Sequence, residues 1–344
     1  MTRDSTYLRP VPCPLDRPSA LPLAGGPLGF AEIEVLRRGA RPEVLPVAAA
    51  EALFPEAGET IARIAAARAP LAGISLDRPR IMGVVNVTPD SFSDGGRLAG
   101  TEAAISHALE LAEAGADLLD IGGESTRPGA RPVPEAEERD RVLPVIEGLV
   151  SRGCPVPVSI DTRKAAIARD ALAAGAAVFN DVSALTHDPE SATVAANAPA
   201  VCLMHAQGDP QTMQDDPRYE DVLLDVYDFL EARRDAAEAA GVPRERLLLD
   251  PGIGFGKTLA HNLHLLRRLS LFHALGAAVM LGVSRKRFIG TLSGVARAAD
   301  RVAGSLAANL AGLDHGMQVL RVHDVAETAQ AARVWHAIRT GETT

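Results

Sequence analysis

The sequence predicts a closed barrel of eight parallel strands alternating with eight helices, preceded by an N-terminal extension. From residue 80 onward, eight short apolar runs rich in Val, Ile and Leu recur, as expected of strands buried on both faces. Most runs are followed by a polar segment and then by an Ala/Leu/Glu-rich stretch of helical length. This pattern fills the rest of the chain, and a barrel of this kind takes roughly 250 residues.

The predicted elements follow one another in strict alternation. The strands are expected at 81–86, 117–121, 156–160, 177–180, 200–205, 246–250, 277–283 and 318–322. The helices are expected at 101–114, 135–151, 163–174, 188–197, 219–240, 260–275, 300–315 and 324–339. An open doubly wound sheet is the alternative, but it usually carries a Gly-rich phosphate turn after its first strand. Here the first strand runs into Asn86-Val87-Thr88-Pro89, which is no such turn.

The chain divides near residue 78, into an extension at 1–77 and a barrel at 78–344. Residues 1–30 are rich in Pro and Gly and are predicted to form loops. Residues 31–36 alternate apolar and polar side chains, which predicts a short exposed strand. Residues 50–69 are Ala-rich with helical spacing. The extension is expected to be a small α/β addition or a cover for one end of the barrel, with no chemistry assigned to it.

Composition limits the kinds of binding partner and the cellular compartment that are expected. A net charge of −9 argues against nucleic acid or an anionic membrane as the main partner, although a local basic cluster could still bind an anionic substrate. The polar N-terminus lacks the apolar stretch of a signal peptide, and no window is apolar enough for a membrane span. Three widely spaced cysteines indicate no disulfide framework, so a cytoplasmic location is expected.

Polar residues mark the end of every predicted strand. They are Asn86, Asp120, Asp161, Asn180-Asp181, Met204-His205, Asp250, Ser284-Arg285-Lys286 and Arg321-Val322-His323. In barrels of this type the chemistry lies at the C-terminal ends of the strands, so these side chains predict an active site. Asp161 alone could be explained as the N-cap of the following helix. A complete ring of polar ends is hard to explain by packing, because burying an unpaired polar group costs roughly 1–3 kcal/mol.

The ring has a pattern of charge that suggests a ligand. Asp120, Asp161, Asn180 and Asp250 offer acceptors and amides suited to the N–H edge of a nitrogen-rich heterocycle. An opposite arc is expected to hold phosphate-type ligands. Its members are Arg127, Lys286, Arg321 and His323. An acidic arc facing a basic arc would suit a molecule with a heterocyclic head and a phosphate tail.

Three glycine-rich segments lie beside this ring. Residues 87–100 and 122–134 are long βα loops of the kind that often close over a substrate. Residues 252–257 read G-x-G-x-G-K, which does not fit the nucleotide-binding pattern G-x-x-x-x-G-K-[ST]. This segment is interpreted as a tight loop that places Phe255 over a ligand; a plain core position for Phe255 is the alternative.

These segments resemble the dihydropteroate synthases over roughly residues 80–340. The resemblance is carried by residues 81–96 (IMGVVNVTPDSFSDGG), 120–129 (DIGGESTRPG), 159–162 (SIDT), 180–181 (ND), 250–252 (DPG), 284–286 (SRK) and 321–324 (RVHD). It implies a homodimeric transferase in folate synthesis. Such an enzyme joins a 7,8-dihydropterin bearing a 6-CH2 diphosphate to p-aminobenzoate, with Mg2+ assisting loss of the diphosphate. Sulfonamides, which mimic p-aminobenzoate, are then expected inhibitors, and the dimer contact is expected on helices late in the barrel.

The resemblance also implies a role for each matching position. Asp120, Asn180, Asp250 and Lys286 would hold the pterin, Met204 would pack on its ring, and Asp161 would support a developing cation. Asn86 would be a Mg2+ ligand, Arg321 and His323 would grip the diphosphate, and Asp94 would assist when its loop closes. The p-aminobenzoate pocket would be framed by Thr126, Arg127, Pro128, Phe92, Phe255 and Ser284.

Two other functions are compatible with parts of this pattern. A methyltransferase acting on methyltetrahydrofolate and a corrinoid protein would share the pterin ligands but would not need a diphosphate grip. An inactive relative acting as a binding protein would be expected to have lost some charged members of the ring, whereas all are present. Measurement of turnover distinguishes the enzyme from a binding protein.

Overall fold

The computed structural model describes residues 6–87, 96–125, 132–208 and 212–342, and it contains a closed eight-stranded parallel barrel. The barrel strands are β5 (Arg80–Asn86), β6 (Leu118–Gly122), β7 (Val158–Asp161), β8 (Val178–Asp181), β9 (Ala200–Met204), β10 (Leu247–Asp250), β11 (Ala278–Leu281) and β12 (Val319–Val322). Each strand pairs with the next along the chain, and β12 returns to pair with β5. The predicted fold class is confirmed.

Helices separate the barrel strands. They are α3 (Gly96–Glu113), α4 (Glu135–Ser151), α5 (Ala165–Ala173), α6 (Ser191–Ala196), α7 (Val222–Ala239), α8 (Leu259–Leu266), α9 (Arg287–Ser293), α10 (Val302–Leu313) and α11 (Val325–Thr340). The continuous helix predicted at 260–275 is wrong, because α8 ends at Leu266 and a 3₁₀ segment follows at Leu269–Leu275. Helix α9 was not predicted; it is only seven residues long and follows directly on the polar strand end.

The extension contains more regular structure than its composition predicted. Residues 1–30 were expected to form loops, but β1 (Tyr7–Pro14), β2 (Leu21–Pro22) and the start of β3 (Leu28–Leu36) lie there. β3 pairs with β1 on one edge and with β2 and β4 (Glu43–Pro46) on the other. The strand predicted as exposed is largely buried. The helical stretch is two short helices, α1 (Val47–Leu53) and α2 (Ala57–Ala65), which end before residue 69.

The small sheet packs on the outside of the barrel, which explains why β3 is buried. Phe30 and Ile33 are fully buried in the same apolar cluster as the barrel helices. Hydrogen bonds fix the orientation of the small sheet relative to the barrel. Tyr7 donates a hydrogen bond of 3.0 Å to Asp228 on α7, and the Ser270 hydroxyl donates one of 2.8 Å to the Pro10 carbonyl. The extension therefore shares its core with the barrel.

The segment joining the two parts closes the N-terminal end of the barrel. Leu71 and Leu76 are almost fully buried, and they pack against apolar side chains at the start of the barrel strands. That cluster consists of Met82, Leu118, Val178, Ala200, Cys202, Leu248, Ala278, Met280 and Val319 together with the two leucines. The polar strand ends lie at the opposite end. Within the described part of the chain, no helix is both long and apolar enough to span a membrane.

Candidate active site

The structure gathers the predicted polar residues at the C-terminal end of the barrel. Asp161, Met204 and Asp250 are the last residues of their strands, and Asn86 ends β5. Asp120, Asn180 and Arg321 lie within the last three residues of β6, β8 and β12. Asp161 does not cap the following helix, because Lys164 occupies the N-cap position of α5. The alternative explanation of Asp161 as a cap is therefore wrong.

Four of these side chains form one hydrogen-bonded group. Arg321 donates from Nε to Asp120 Oδ2 at 2.6 Å and from Nη2 to Asp161 Oδ2 at 2.7 Å. Asn180 Nδ2 donates to the same Asp120 oxygen at 3.1 Å. Asp120 is completely buried and Asp161 nearly so. Since two carboxylates share one guanidinium, the group carries one excess negative charge when both are ionised.

Each buried carboxylate keeps one oxygen without a protein partner. Asp120 Oδ1 and Asp161 Oδ1 are inaccessible to solvent and accept no hydrogen bond among the described residues. An unsatisfied buried acceptor is costly, so it usually has a functional reason. Burial raises the pKa of Asp161 to about 7, with Arg321 opposing that rise and Asp120 adding to it. The pair therefore presents acceptors for N–H donors or for positive charge.

By strand position the acidic residues lie on β6, β7 and β10 and the basic residues lie on β12 and after β11, but the two kinds of charge are not kept apart. Arg321 was placed on the basic arc, but it lies between Asp120 and Asp161. Burial by itself would lower the pKa of Arg321, and the two carboxylates outweigh it, so that its pKa is raised. The reason is electrostatic, because a barrel end crowded with carboxylates needs an internal cation to offset repulsion. The guanidinium of Arg321 is therefore part of the acidic group.

Lys286 and Asp250 form a second polar group. The Lys286 amine donates to the Ile253 carbonyl and lies 4.6 Å from the centroid of the Phe255 ring. A methyl group on Gly282 would lie 3.6 Å from Asp250 Oδ2 and 3.7 Å from Lys286 Nζ, so both groups face the same space. Burial lowers the pKa of Lys286 to about 8, partly offset by Asp250. Burial raises the pKa of Asp250, and Lys286 opposes that rise.

The remaining predicted residues fall into four sets. Ser284 and His323 are in contact, with Ser284 Oγ 3.0 Å from His323 Nδ1 and 3.1 Å from the His323 amide nitrogen, which donates to it. Met204 is buried beside Asp250 in the paired strands β9 and β10. Asn86 is half-buried, and its side chain makes no hydrogen bond to another described residue. Five predicted residues lie outside the described residues: Phe92, Asp94, Thr126, Arg127 and Pro128.

A buried lysine that the sequence analysis did not single out holds the glycine-rich loop 252–257. Lys257 Nζ donates to the carbonyls of Gly252 at 2.9 Å and Phe255 at 3.1 Å, and it lies 2.8 Å from His205 Nδ1. Burial lowers the pKa of Lys257 well below its usual value. Gly252 has a φ of +65°, and a Cβ there would lie 1.8 Å from the His205 carbonyl oxygen. Lys257 thus fixes the loop that presents Ile253 and Phe255 to Lys286.

Lys257→Met is expected to lower kcat/KM about tenfold, because the Lys286 amine loses a fixed partner when this loop loosens. Folding stability should also fall by roughly 1–3 kcal/mol, since the loop carbonyls lose their donor. Steady-state kinetics and urea unfolding measure the two effects.

Thr258→Ala is the matched control for stability. Thr258 caps α8 through its side chain and is exposed, so its loss should cost about 1 kcal/mol and leave kcat/KM near the wild-type value. Equal kinetic losses in Lys257→Met and Thr258→Ala would show that Lys257 has no positioning role.

A second unpredicted network begins at Thr162, the residue after Asp161. Lys164 Nζ bridges Glu124, at 2.8 Å, and Glu138, and the Thr162 hydroxyl donates to Glu138 at 2.6 Å. Glu138 is completely buried, so its charge depends on these partners. Glu124 also accepts a 3.1 Å hydrogen bond from the Val133 amide. Glu124 and Val133, the residues on either side of segment 125–132, are thus linked by a hydrogen bond, and Lys164 binds Glu124 as well. Glu124 lies within a quoted motif, but nothing in the local sequence signalled its partners.

Comparison with known proteins identifies relatives of this site and fold. The sequence model described as pterin binding enzyme matches residues 82–323. The dihydropteroate synthase of Neisseria meningitidis serogroup B is 49% identical over 271 residues, covering 77% of this chain and 94% of that protein.

Two solved structures from Xanthomonas albilineans are also similar. A dihydropteroate synthase with 4-aminobenzoic acid aligns with a TM-score of 0.74 at 52% identity, covering 79% of this chain and 98% of that chain. A dihydropteroate synthase in complex with 7,8-dihydropteroate aligns with a TM-score of 0.70 at 48% identity, covering 77% of this chain and 95% of that chain. The chain belongs to the pterin-binding enzymes and, within them, to the dihydropteroate synthases, a family of transferases.

Proposed function

We propose that this chain condenses 7,8-dihydropterin-6-ylmethyl diphosphate with p-aminobenzoate to give 7,8-dihydropteroate and diphosphate. The observation that carries the proposal is the buried pair of carboxylates, Asp120 and Asp161, each with an unsatisfied oxygen and both held by Arg321. The related structures bound to 4-aminobenzoic acid and to 7,8-dihydropteroate support this choice of substrate and product. A methyltransferase or an inactive scaffold has no comparable support.

The pterin is proposed to bind deepest in the site. Its amino and ring N–H groups would donate to Asp120 and Asp250, whose side chains are buried and can accept in parallel. Asn180 would add an amide contact, and the Lys286 amine would donate to the ring. The buried Met204 side chain would pack on the ring face. Lys286 is already oriented by Ile253 and Phe255, so little ordering is required on binding.

The reaction is proposed to begin with cleavage of the bond between the 6-CH2 carbon and the diphosphate oxygen. The diphosphate leaves with the electron pair and would be held by His323 and by Nη1 of Arg321, the guanidinium nitrogen that bonds neither Asp120 nor Asp161, while the pterin ring system becomes cationic. The excess negative charge of the Asp120, Asp161 and Arg321 group would stabilise that cation. The lone pair of the neutral amine of p-aminobenzoate then forms the new C–N bond, and the resulting ammonium releases one proton to water. Asp94, in the first long loop, is proposed to assist at closure.

A divalent cation is compatible with this arrangement. Mg2+ usually binds proteins through one or two oxygen ligands and completes its shell with water and substrate phosphate. Asn86 offers an amide oxygen at the strand end that makes no hydrogen bond to another described residue. We therefore propose Asn86 as a ligand of Mg2+, which would neutralise the charge that develops on the departing diphosphate.

The second substrate is proposed to occupy the mouth of the site. Ser284 and Phe255 lie beside Lys286, and they would contact p-aminobenzoate together with Phe92, Thr126, Arg127 and Pro128. Sulfonamides, which resemble p-aminobenzoate, are proposed to compete for this place. Competitive inhibition against p-aminobenzoate would support the assignment, and inhibition that p-aminobenzoate does not relieve would contradict it.

The direct test is release of diphosphate from the pterin diphosphate in the presence of Mg2+ and p-aminobenzoate. Release coupled to formation of dihydropteroate, and strongly reduced in Lys286→Ala and Asp120→Ala, would establish the reaction and its dependence on these residues. A folded wild-type chain that binds pterin without releasing diphosphate would overturn the synthase proposal.

The kcat/KM of the wild-type chain is expected to be bell-shaped in pH, with limbs near 7 and 8. Asp161 must be ionised to stabilise the cation, and its pKa is raised to about 7, so activity should fall below that pH. Lys286 must be protonated to donate, and its pKa is lowered to about 8, so activity should fall above that pH. Lys286→Arg should retain the acid limb and lose the alkaline limb, because arginine stays protonated. An unchanged alkaline limb in Lys286→Arg would contradict the role given to Lys286.

We further propose that the chain acts as a homodimer in the cytoplasm. Val334 and Ile338 are 56% and 75% exposed and lie one turn apart on α11, so a second copy could cover them. Cys13, Cys154 and Cys202 are all free thiols, which suits a reducing compartment. Analytical ultracentrifugation of wild type and of Ile338→Asp tests the dimer. A wild-type monomer at micromolar concentration would overturn it.

A further inference from the structure

A cavity at the N-terminal end of the barrel lies between the extension and the barrel, on the side away from the catalytic residues. Its volume is about 240 Å³, roughly that of eight water molecules. It is lined by α2 and the turn after it, by the 3₁₀ segment before β10, and by residues 276–278 at the start of β11. We call this cavity the basal pocket. Both parts of the chain are therefore needed to form it.

Three arginines line the basal pocket: Arg63, Arg68 and Arg244. A methyl group on Gly276 would lie 3.4 Å from Cδ of both Arg63 and Arg244, so these two side chains meet over that glycine. The one acidic residue in the lining is the exposed Glu245. The pocket is a local basic site on a chain whose net charge is −9.

Two of these arginines have no carboxylate partner within the described ranges. Arg68 donates only to neutral carbonyls, those of Arg63, Ala66, His273 and Ala277. Arg63 donates to Thr60 Oγ1 and to the Ala274 carbonyl. Burial lowers the pKa of Arg68 to about 10, as expected of a cation whose lost hydration is not offset by an anion. A guanidinium in that position gains strongly from a bound negative charge.

Donor groups remain available toward the cavity. Arg244 uses Nε and Nη2 for Glu238, at 2.5 and 2.9 Å, and its Nη1 donates to no described residue. Nη1 of Arg63 is likewise without a described acceptor, because its bonds use Nε and Nη2. Nη1 of Arg244 lies 3.5 Å from the position a methyl group on Gly276 would take. Two nitrogens, Nη1 of Arg63 and Nη1 of Arg244, are therefore left to donate to an anion.

We propose that the basal pocket binds a small phosphate-bearing anion, which would tie the extension to the barrel. Guanidinium groups match the oxygens of phosphate as forks, and a doubly charged anion offsets more than one unpaired cation. The volume exceeds that of bare phosphate, so a small phosphomonoester also fits. This ligand is distinct from the substrates proposed above, since the pocket and the catalytic residues lie at opposite ends of the barrel.

Calorimetric titration of the full chain with inorganic phosphate at constant ionic strength tests the proposal. The catalytic site could also take up phosphate, so the comparison uses variants of Ala69, an exposed residue that lines the pocket. Ala69→Glu places a carboxylate against the arginines and is expected to abolish one binding event seen in wild type. Ala69→Gln has the same size without the charge and should retain that event. Arg63→Gln should weaken it about tenfold.

Identical titrations of wild type, Ala69→Glu and Ala69→Gln would overturn the proposal, provided that all three melt at similar temperatures. A parallel titration with glycerol 2-phosphate distinguishes the source of the ligand: tighter binding than inorganic phosphate indicates an ester, and weaker binding indicates free phosphate. Because the readout is binding rather than turnover, a negative result here leaves the synthase proposal untouched, and the reverse also holds.

Discussion

Asp120→Asn is expected to lower kcat/KM by about 10³-fold, the largest effect of any single substitution considered. The substitution removes one charge and turns half of the carboxylate into a donor, whereas Arg321 and, in our proposal, the edge of the pterin both need an acceptor. Arg321 Nε lies 2.6 Å from Asp120 Oδ2, so the variant also weakens the hold on Arg321. Asp120 is completely buried, so water cannot substitute for the lost acceptor. Steady-state kinetics with varied pterin diphosphate measures the effect.

Asp117→Asn is a matched control on the same stretch of chain. Asp117 immediately precedes β6 at the opposite end of the barrel, where it pairs with Arg78 at 2.8 Å and Arg80 at 3.1 Å. Its loss should lower the free energy of unfolding and leave kcat/KM close to the wild-type value. If both variants lost activity in parallel with their melting temperatures, the effect of Asp120 would be one of folding alone.

Lys286→Ala is expected to lower kcat/KM by about 10²-fold, because the site loses the amine that offsets the charge of Asp250 and that we propose donates to the pterin. Its carbonyl partner Ile253 and the Phe255 ring remain, so the loop should keep its shape. The pKa of Asp250, already raised by burial, should rise further without this cation. The loss should therefore be greater at low pH than at high pH.

Arg287→Ala removes the same charge one residue further along. Arg287 is exposed and is the first residue of α9, so its loss should change kcat/KM little. Equal losses in Lys286→Ala and Arg287→Ala would mean that net charge, and not the placed amine, is what matters.

The barrel was predictable because the sequence pattern that marks each strand lies within the strand itself. Each barrel strand is a short apolar run buried on both faces, and runs of this kind are recognisable without knowing their neighbours. The polar strand ends were predictable for the same reason, since Asp161 and Asp250 interrupt runs that would otherwise stay apolar. The parallel order of the strands then brings those residues to one end of the barrel.

What the sequence did not reveal depends on partners distant along the chain. Arg321 is 201 residues from Asp120, and Lys257 is 52 residues from His205, so no local pattern shows that either pair meets. The strands of the extension were missed because Pro and Gly usually mark loops, and here β1 carries Pro at positions 10, 12 and 14. Burial of Phe30 and Ile33 against the barrel outweighs that local signal.

Apolar side chains fill the interior of the barrel, and Leu71 and Leu76 cover its N-terminal end, so the site is open only at the C-terminal end of the strands. A ring bound against Asp120, at the bottom of the polar end, has one way in and the same way out. A molecule bound nearer the opening would block this route, so the pterin diphosphate is expected to bind before p-aminobenzoate. Dihydropteroate is expected to leave only after any molecule bound nearer the opening has left. Calorimetry should show p-aminobenzoate binding weakly to the empty chain and tightly once a pterin and diphosphate are in place. Equal affinity in both cases would mean that the two substrates do not share a single passage.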